Sequence, residues 1–303
     1  MQREAYVLSA FTKDGAGGNP AGVVLDTNGL TEVDMRNIAR QLGYSETAFV
    51  LPSTLVDYRV RYFTPNEEVD ICGHATIATF SLLLQRNLIS KSTYLIETRA
   101  GIMKVMINEN QTVSLQQNRP EFGPVLPSEE ILNTLGINEE QLLPYLPIQC
   151  VSTGLRDIIV PVKSLSILNE LKPKYKAIKE ISKKYDAVGY HVFTLETINS
   201  SSAHCRNFAP LYDIDEESAT GTASAALACY LAKNLKPQTY YRFEQGYLMG
   251  RPSEIFVNLS FYQEEIKDIQ IGGKSSQYEK FLFKDGLLTN QNETFTFPKR
   301  TNI

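Results

Sequence analysis

Two stretches of this chain read alike. R-Y-F-T-P at Arg61 to Pro65 returns as R-N-F-A-P at Arg206 to Pro210, an offset of 145 positions (61 to 206). Each is followed by an acidic loop, a glycine and a helix of small residues. The first copy reads D-I-C-G-H-A-T from Asp70 to Thr76, and the second reads E-E-S-A-T-G-T-A-S from Glu216 to Ser224. A strand and a Glu-containing turn come next, E-T-R-A-G at Glu97 to Gly101 and E-Q-G at Glu244 to Gly246. Solenoid repeats are much shorter than this, so the pattern predicts two similar domains, each about half of the 303 residues.

The local pattern fits an α+β fold. Ala5 to Phe11 reads as a strand, followed by a Gly-rich turn from Asp14 to Pro20 and a second strand near Gly22 to Leu25. Thr31 caps a helix with Asp34 three residues on; Met35, Ile38, Ala39 and Leu42 form its apolar stripe and Gly43 ends it. Ser45 to Leu51 and Tyr58 to Phe63 read as a strand pair. The helix from Gly73 to Leu84 is apolar or small on nearly every side, which predicts burial all round. Strands at Thr93 to Glu97 and Ile102 to Ile107 follow. In the second half, a helix from Pro173 to Lys184 with proline in its first turn precedes a strand near Tyr190 to Leu195. Asn118 to Pro127, rich in proline and polar groups, reads as the linker.

Composition narrows the function classes. Thirty basic and 34 acidic side chains give a net charge of -4, with the basic ones scattered, so nucleic acid and anionic membrane are not expected partners. The N-terminus lacks a signal pattern and the most apolar helical run is about half of a bilayer span. A soluble, cytoplasmic protein is expected. Cys72, Cys150, Cys205 and Cys229 are far apart, which argues for free thiols in a reducing compartment. With only His74, His191 and His204, and no Cys/His cluster in sequence, no metal site is expected. The Asp14 to Pro20 loop lacks a phosphate-loop or dinucleotide pattern, so no nucleotide cofactor is implied.

Two helices that begin Gly-polar-Ala point to a site. Gly73-His74-Ala75 and Gly221-Thr222-Ala223 leave backbone N–H groups uncovered by bulky side chains, and such helix starts bind carboxylates or phosphates. Pseudo-symmetry would turn both into one interdomain cleft. The glycines would equally serve close packing.

These residues carry a family resemblance. G-N-P-A-G-V-V at Gly18 to Val24, S-E-T-A-F at Ser45 to Phe49, F-T-P-N-E-E-V-D-I-C-G-H-A-T at Phe63 to Thr76, E-E-S-A-T-G-T-A at Glu216 to Ala223 and E-Q-G-Y-L-M-G-R-P-S at Glu244 to Ser253 resemble the PhzF (phenazine biosynthesis-like) isomerase family. The resemblance spans about Ala5 to Val257. It implies the diaminopimelate epimerase-like fold: two pseudo-symmetric domains, each a mixed β-sheet or barrel wrapped around a central helix. Residues 1–118, joined by about 266–303, would form one domain and 119–265 the other. It also implies a cofactor-independent homodimer that shifts a proton on a small carboxylate substrate. Glu46 falls on the family's catalytic glutamate and His74 on its active-site histidine. Glu217 falls where the phenazine enzyme has aspartate, a departure that bears on the substrate. Thr222 stands where serine is frequent, and Gly18, Asn19, Gly73 and Gly221 complete the expected substrate-binding set.

Cys72 leaves an alternative open. Racemases that resemble this chain in fold use two facing cysteines. Cys72 occupies the first such position, whereas the second is Thr220, a very poor base. A one-thiol epimerase or dehydratase is therefore one alternative, and a non-catalytic ligand-binding protein on this fold is another.

Overall fold

The computed structural model describes residues 2–289. The first half runs β1 (Gln2–Thr12), β2 (Asn19–Val24), α1 (Glu32–Leu42), β3 (Thr47–Leu51), β4 (Tyr58–Phe63), β5 (Glu68–Val69), α2 (Gly73–Gln85), β6 (Thr93–Thr98), β7 (Gly101–Ile107) and β8 (Val113–Gln117). Then come β9 (Glu121–Val125), α3 (Ser128–Leu135), β10 (Gln149–Ser152), β11 (Arg156–Pro161), α4 (Leu165–Glu170), α5 (Tyr175–Lys184), β12 (Gly189–Thr194), β13 (Ala203–Ala209), β14 (Ile214–Glu217), α6 (Gly221–Asn234), β15 (Tyr240–Gln245), β16 (Ser253–Tyr262), β17 (Glu265–Ser275), β18 (Glu279–Lys284) and β19 (Leu287–Thr289).

The strand pairing of the first half recurs in the second. β1–β2 is antiparallel, β2–β3 parallel, and β3–β4 and β4–β5 antiparallel. β10–β11, β11–β12, β12–β13 and β13–β14 follow the same sequence of directions. Parallel β4–β6 is matched by β13–β15, and the antiparallel runs β6–β7–β8 by β15–β16–β17. β8 and β17, equivalent strands, pair with each other and join the halves. The central helices α2 and α6 are buried on nearly every side and share one hydrophobic core. Separate apolar layers lie under α1 and under α3 to α5.

The repeated R-x-F-x-P has a physical basis. Side chains two apart on a strand share a face. Arg61 donates to both Glu68 oxygens at 2.7 and 2.6 Å, and its guanidinium lies 5.0 Å from the Phe63 ring centroid. Arg206 repeats this with Glu216 at 2.9 and 2.8 Å and Phe208 at 4.9 Å. Each fork pins the acidic loop that leads into a central helix.

Thr31 and Asp34 form the expected capping box, and Gly43 takes the left-handed conformation at φ 72°. Three expectations need correction. Asn118 to Pro127 is not a free linker, because its middle is β9, paired with β10. The proline and glycine that suggested a loop are tolerated because β9 is an edge strand. Pro173 lies outside α5, which starts at Tyr175 after Lys174. β3 begins at Thr47, so Ser45 and Glu46 precede the strand, although the Glu46 carbonyl still accepts from Gly22.

After residue 265 the chain returns toward its beginning: β17 and β18 both pair with β1. Positions 290–303 lie outside the described residues. β1 bends at Phe11, where φ is 61° and the register with β17 shifts. That bend drives the buried Phe11 ring under the start of α6. All four cysteines are buried and free. No helix among the described residues is long and apolar enough to cross a membrane.

Candidate active site

The starts of α2 and α6 meet at one residue. A Cβ built on Gly221 would lie 2.4 Å from Ile271 Cδ1, and one on Gly73 would lie 3.7 Å from the same atom. Both capping positions, Cys72 and Thr220, have extended backbone, and neither side chain caps its helix. Two sets of first-turn N–H donors thus face one region without a capping side chain. Helix ends left this way in an interior are suited to an anion.

Several of the expected residues converge there. His74 Nε2 lies 3.3 Å from Glu46 Oε2, and His74 Nδ1 lies 3.9 Å from Glu217 Oε1. Asn19 crosses from the first half, donating to Glu217 Oε1 at 2.8 Å and to the Ala219 carbonyl at 3.1 Å. The Thr220 hydroxyl donates to Glu217 Oε2 at 2.5 Å. Gly18 offers its carbonyl to the Ser218 hydroxyl at 2.9 Å, a second tie between the halves. Thr222 presents its carbonyl to the Thr153 hydroxyl at 3.3 Å.

The electrostatics divide the two carboxylates. Burial raises the Glu46 pKa, but the His74 imidazolium beside it, with help from Ser45 and Cys72, carries it below the ordinary carboxylate value. Burial lowers the His74 pKa, yet Cys72 and Glu46 beside it lift it well above the ordinary imidazole value. The Cys72 thiol is itself pushed up by burial and stays protonated near neutral pH, so the anion that holds the imidazolium is Glu46. Glu46 Oε2 is buried and accepts no aligned hydrogen bond; its contact with His74 is ionic. The oxygen therefore keeps a lone pair for a proton. Glu217 is shifted the other way, chiefly by burial, despite the nearby His74 and Thr220. Two carboxyls with opposite shifts in one site suit acid–base chemistry.

Cys72 Sγ lies 3.4 Å from His74 Nδ1. Ligand atoms of Glu46, Cys72 and His74 all fall within 4.8 Å of one another, a grouping invisible in the sequence spacing. A cation bound there would have to displace the imidazolium and thiol protons, so metal binding and acid–base chemistry would compete for this trio. Thr220, opposite Cys72, has its hydroxyl engaged with Glu217.

Other contacts escaped the sequence reading. Ser45 Oγ lies 3.5 Å from His74 Nε2. Gln245 accepts from the Thr220 N–H at 3.2 Å and donates to the Glu217 carbonyl at 2.7 Å, fixing the start of α6. Its place beside Glu244 in the repeated turn was the available signal. Glu244 is buried and accepts from Ile198 N–H, Asn199 N–H, the Ser201 hydroxyl and His204.

The family profile PhzC-PhzF, phenazine biosynthesis-like protein, matches residues 8–280. The chain is 36% identical over 301 residues to an uncharacterized isomerase of Clostridium acetobutylicum, covering 94% of this chain and 98% of that protein. It is 27% identical to the trans-2,3-dihydro-3-hydroxyanthranilate isomerase of Pseudomonas aeruginosa, over 90% of this chain and 96% of that one. Among solved structures, a PhzF-family phenazine biosynthesis protein of Bacillus anthracis superposes with a TM-score of 0.83 at 32% identity, covering 92% of this chain and 99% of that chain.

Proposed function

The chain belongs to the PhzC-PhzF, phenazine biosynthesis-like family and is an isomerase of that family, and on this premise we propose that it shifts a proton between carbons of a small carboxylate-bearing metabolite. Glu46 is the base. Its carboxylate takes a proton from a carbon conjugated to the substrate carboxylate, and the electron pair of the broken C–H bond passes into the substrate as an enolate. The N–H groups at Gly73-His74 and Gly221-Thr222 hold the carboxylate and the developing charge. His74, as imidazolium, balances Glu46 while it is anionic, and Glu217 with Asn19 orients the substrate. Glu46 then returns the proton to a different carbon, with no net redox change.

The observation that carries this reading is the buried Glu46 oxygen, free of aligned hydrogen bonds and 3.3 Å from His74. The trans-2,3-dihydro-3-hydroxyanthranilate isomerase makes a cyclic carboxylate the first substrate to try, and Glu217 in place of aspartate makes a different ring substitution the expected answer. Cys72 is not required in this scheme. We further propose a cytoplasmic homodimer with residues 1–118 in one domain and 119–265 in the other, the first joined by the chain after about 265; the pairing of β18 with β1 supports that return, while β17, paired with both β16 and β1, bridges the two domains. The test is an exchange assay in heavy water over a panel of small cyclic and amino carboxylates. A substrate that gains deuterium at carbon with wild type and with Cys72→Ala supports the scheme; loss of exchange in Cys72→Ala overturns it in favour of the thiol.

A further inference from the structure

Pseudo-symmetry supplies an internal control for the layer that faces the central helices. In the second half, Ile159 pairs with His191, His191 with Asn207, and Asn207 with Glu217. The equivalent first-half series is Val23, Ala48, Tyr62 and Val69. Asp157, two residues before Ile159, corresponds to Ala21, two before Val23. The fold thus closes over this layer in one half without a carboxyl or an imidazole, the Tyr62 hydroxyl being bonded to Thr76, so Asp157 and His191 in the other half are not needed to build it.

Asp157 shares the α6-facing side of β11 with Ile159, since side chains alternate along a strand. It is 2% exposed, and its carboxyl has no hydrogen-bond or ion-pair partner among the described residues. One diagonal step away, His191 Nε2 is also buried without a partner, its Nδ1 lying 3.0 Å from Asn207 Oδ1. The β10–β11 turn touches the first turn of α6 through Thr153 and Thr222, which sets Asp157 beside the cleft. Burial, and then the Glu217 charge, push its pKa up to about 8, and no cation opposes them. The single imidazolium of the site lies beside Glu46 and Glu217, and Asp157, which feels the Glu217 charge, has no cation of its own.

We propose that Asp157 is a substrate-binding residue which, with Glu217, receives the cationic nitrogen of an amino carboxylate. This rests on the proposed function, in which the substrate carboxylate lies at the starts of α2 and α6. A buried acid without a partner is costly when empty and gains a charge-assisted hydrogen bond when an ammonium arrives.

The probes are 2-aminocyclohexanecarboxylate and cyclohexanecarboxylate, which differ only in the ammonium group, with binding measured by calorimetry at neutral pH. Wild type is expected to prefer the amino acid by about tenfold or more. Asp157→Asn is expected to lose that preference while melting no earlier than wild type. Absence of a preference in wild type, or an unchanged preference in Asp157→Asn, overturns the proposal. Binding is read without turnover, so such a result leaves the proton-transfer reading to the exchange assay.

Discussion

Glu46 and His74 define the chemistry at the scale of single residues. Their pKa values are shifted apart, Glu46 downward and His74 upward, so both are charged over a wider range than ordinary side chains. The account predicts a kcat/KM profile whose acid limb falls below the ordinary glutamate value and whose alkaline limb lies above the ordinary imidazole value. In His74→Gln, burial of Glu46 is opposed only by Ser45 and Cys72, and the acid limb should move upward. A limb that stays in place would separate His74 from the base.

Glu244 gives a stability counterpart. Burial raises its pKa, but four donors, His204 first among them, bring it down to about 2 from 4.5. A depressed carboxylate stabilises the fold above its unfolded pKa. That contribution, on the order of 3 kcal/mol, fades as pH falls from about 4.5 toward 2. Glu244→Gln should therefore lower Tm at pH 7, with the deficit shrinking in acid. The convergence of Glu46, His74, Asn19 and Glu217 was legible because the motifs that carry the family resemblance contain them. Asp157 and His191 were not, because only strand register reveals that they replace alanines of the first half.

The two helix starts behave differently at the scale of elements. Alanine at Gly221 would place its Cβ 2.4 Å from Ile271 Cδ1 and 3.1 Å from Phe11 Cζ, both in the core. Gly221→Ala should cost about 1–3 kcal/mol in a denaturation experiment. Gly73→Ala meets only ordinary contacts and should stay within roughly 1 kcal/mol of wild type. Equal costs would mean that the helix starts are packed alike. α1, α2 and α6 were easy to read, since capping at Thr31 and the small-residue runs of α2 and α6 are local signals, whereas the short α3 and α4 were not read. β9 was misread as linker because its pairing with β10 is a tertiary fact that outweighs its proline and glycine.

The whole molecule has two halves that share a central core. α2 and α6 share a hydrophobic cluster, β8 pairs with β17, and Asn19 and Gly18 meet the loop before α6. The halves should therefore unfold together, in a single transition reported alike by far-ultraviolet dichroism and tyrosine fluorescence. Two separated transitions would contradict this. The repeat was visible from R-x-F-x-P because the Arg–Glu fork and the Phe beneath it recur in both halves. The return of β17 and β18 to β1 carries no motif and appears only in the assembled sheet.

The halves come together to set one glutamate between two helix starts, and proton transfer by that glutamate is the central claim. Glu46→Gln keeps the size and hydrogen-bonding capacity of the side chain while removing the base. With a substrate that wild type deuterates at carbon in heavy water, the folded variant should lose at least about a thousandfold of the exchange rate. Exchange by Glu46→Gln at the wild-type rate would contradict the account.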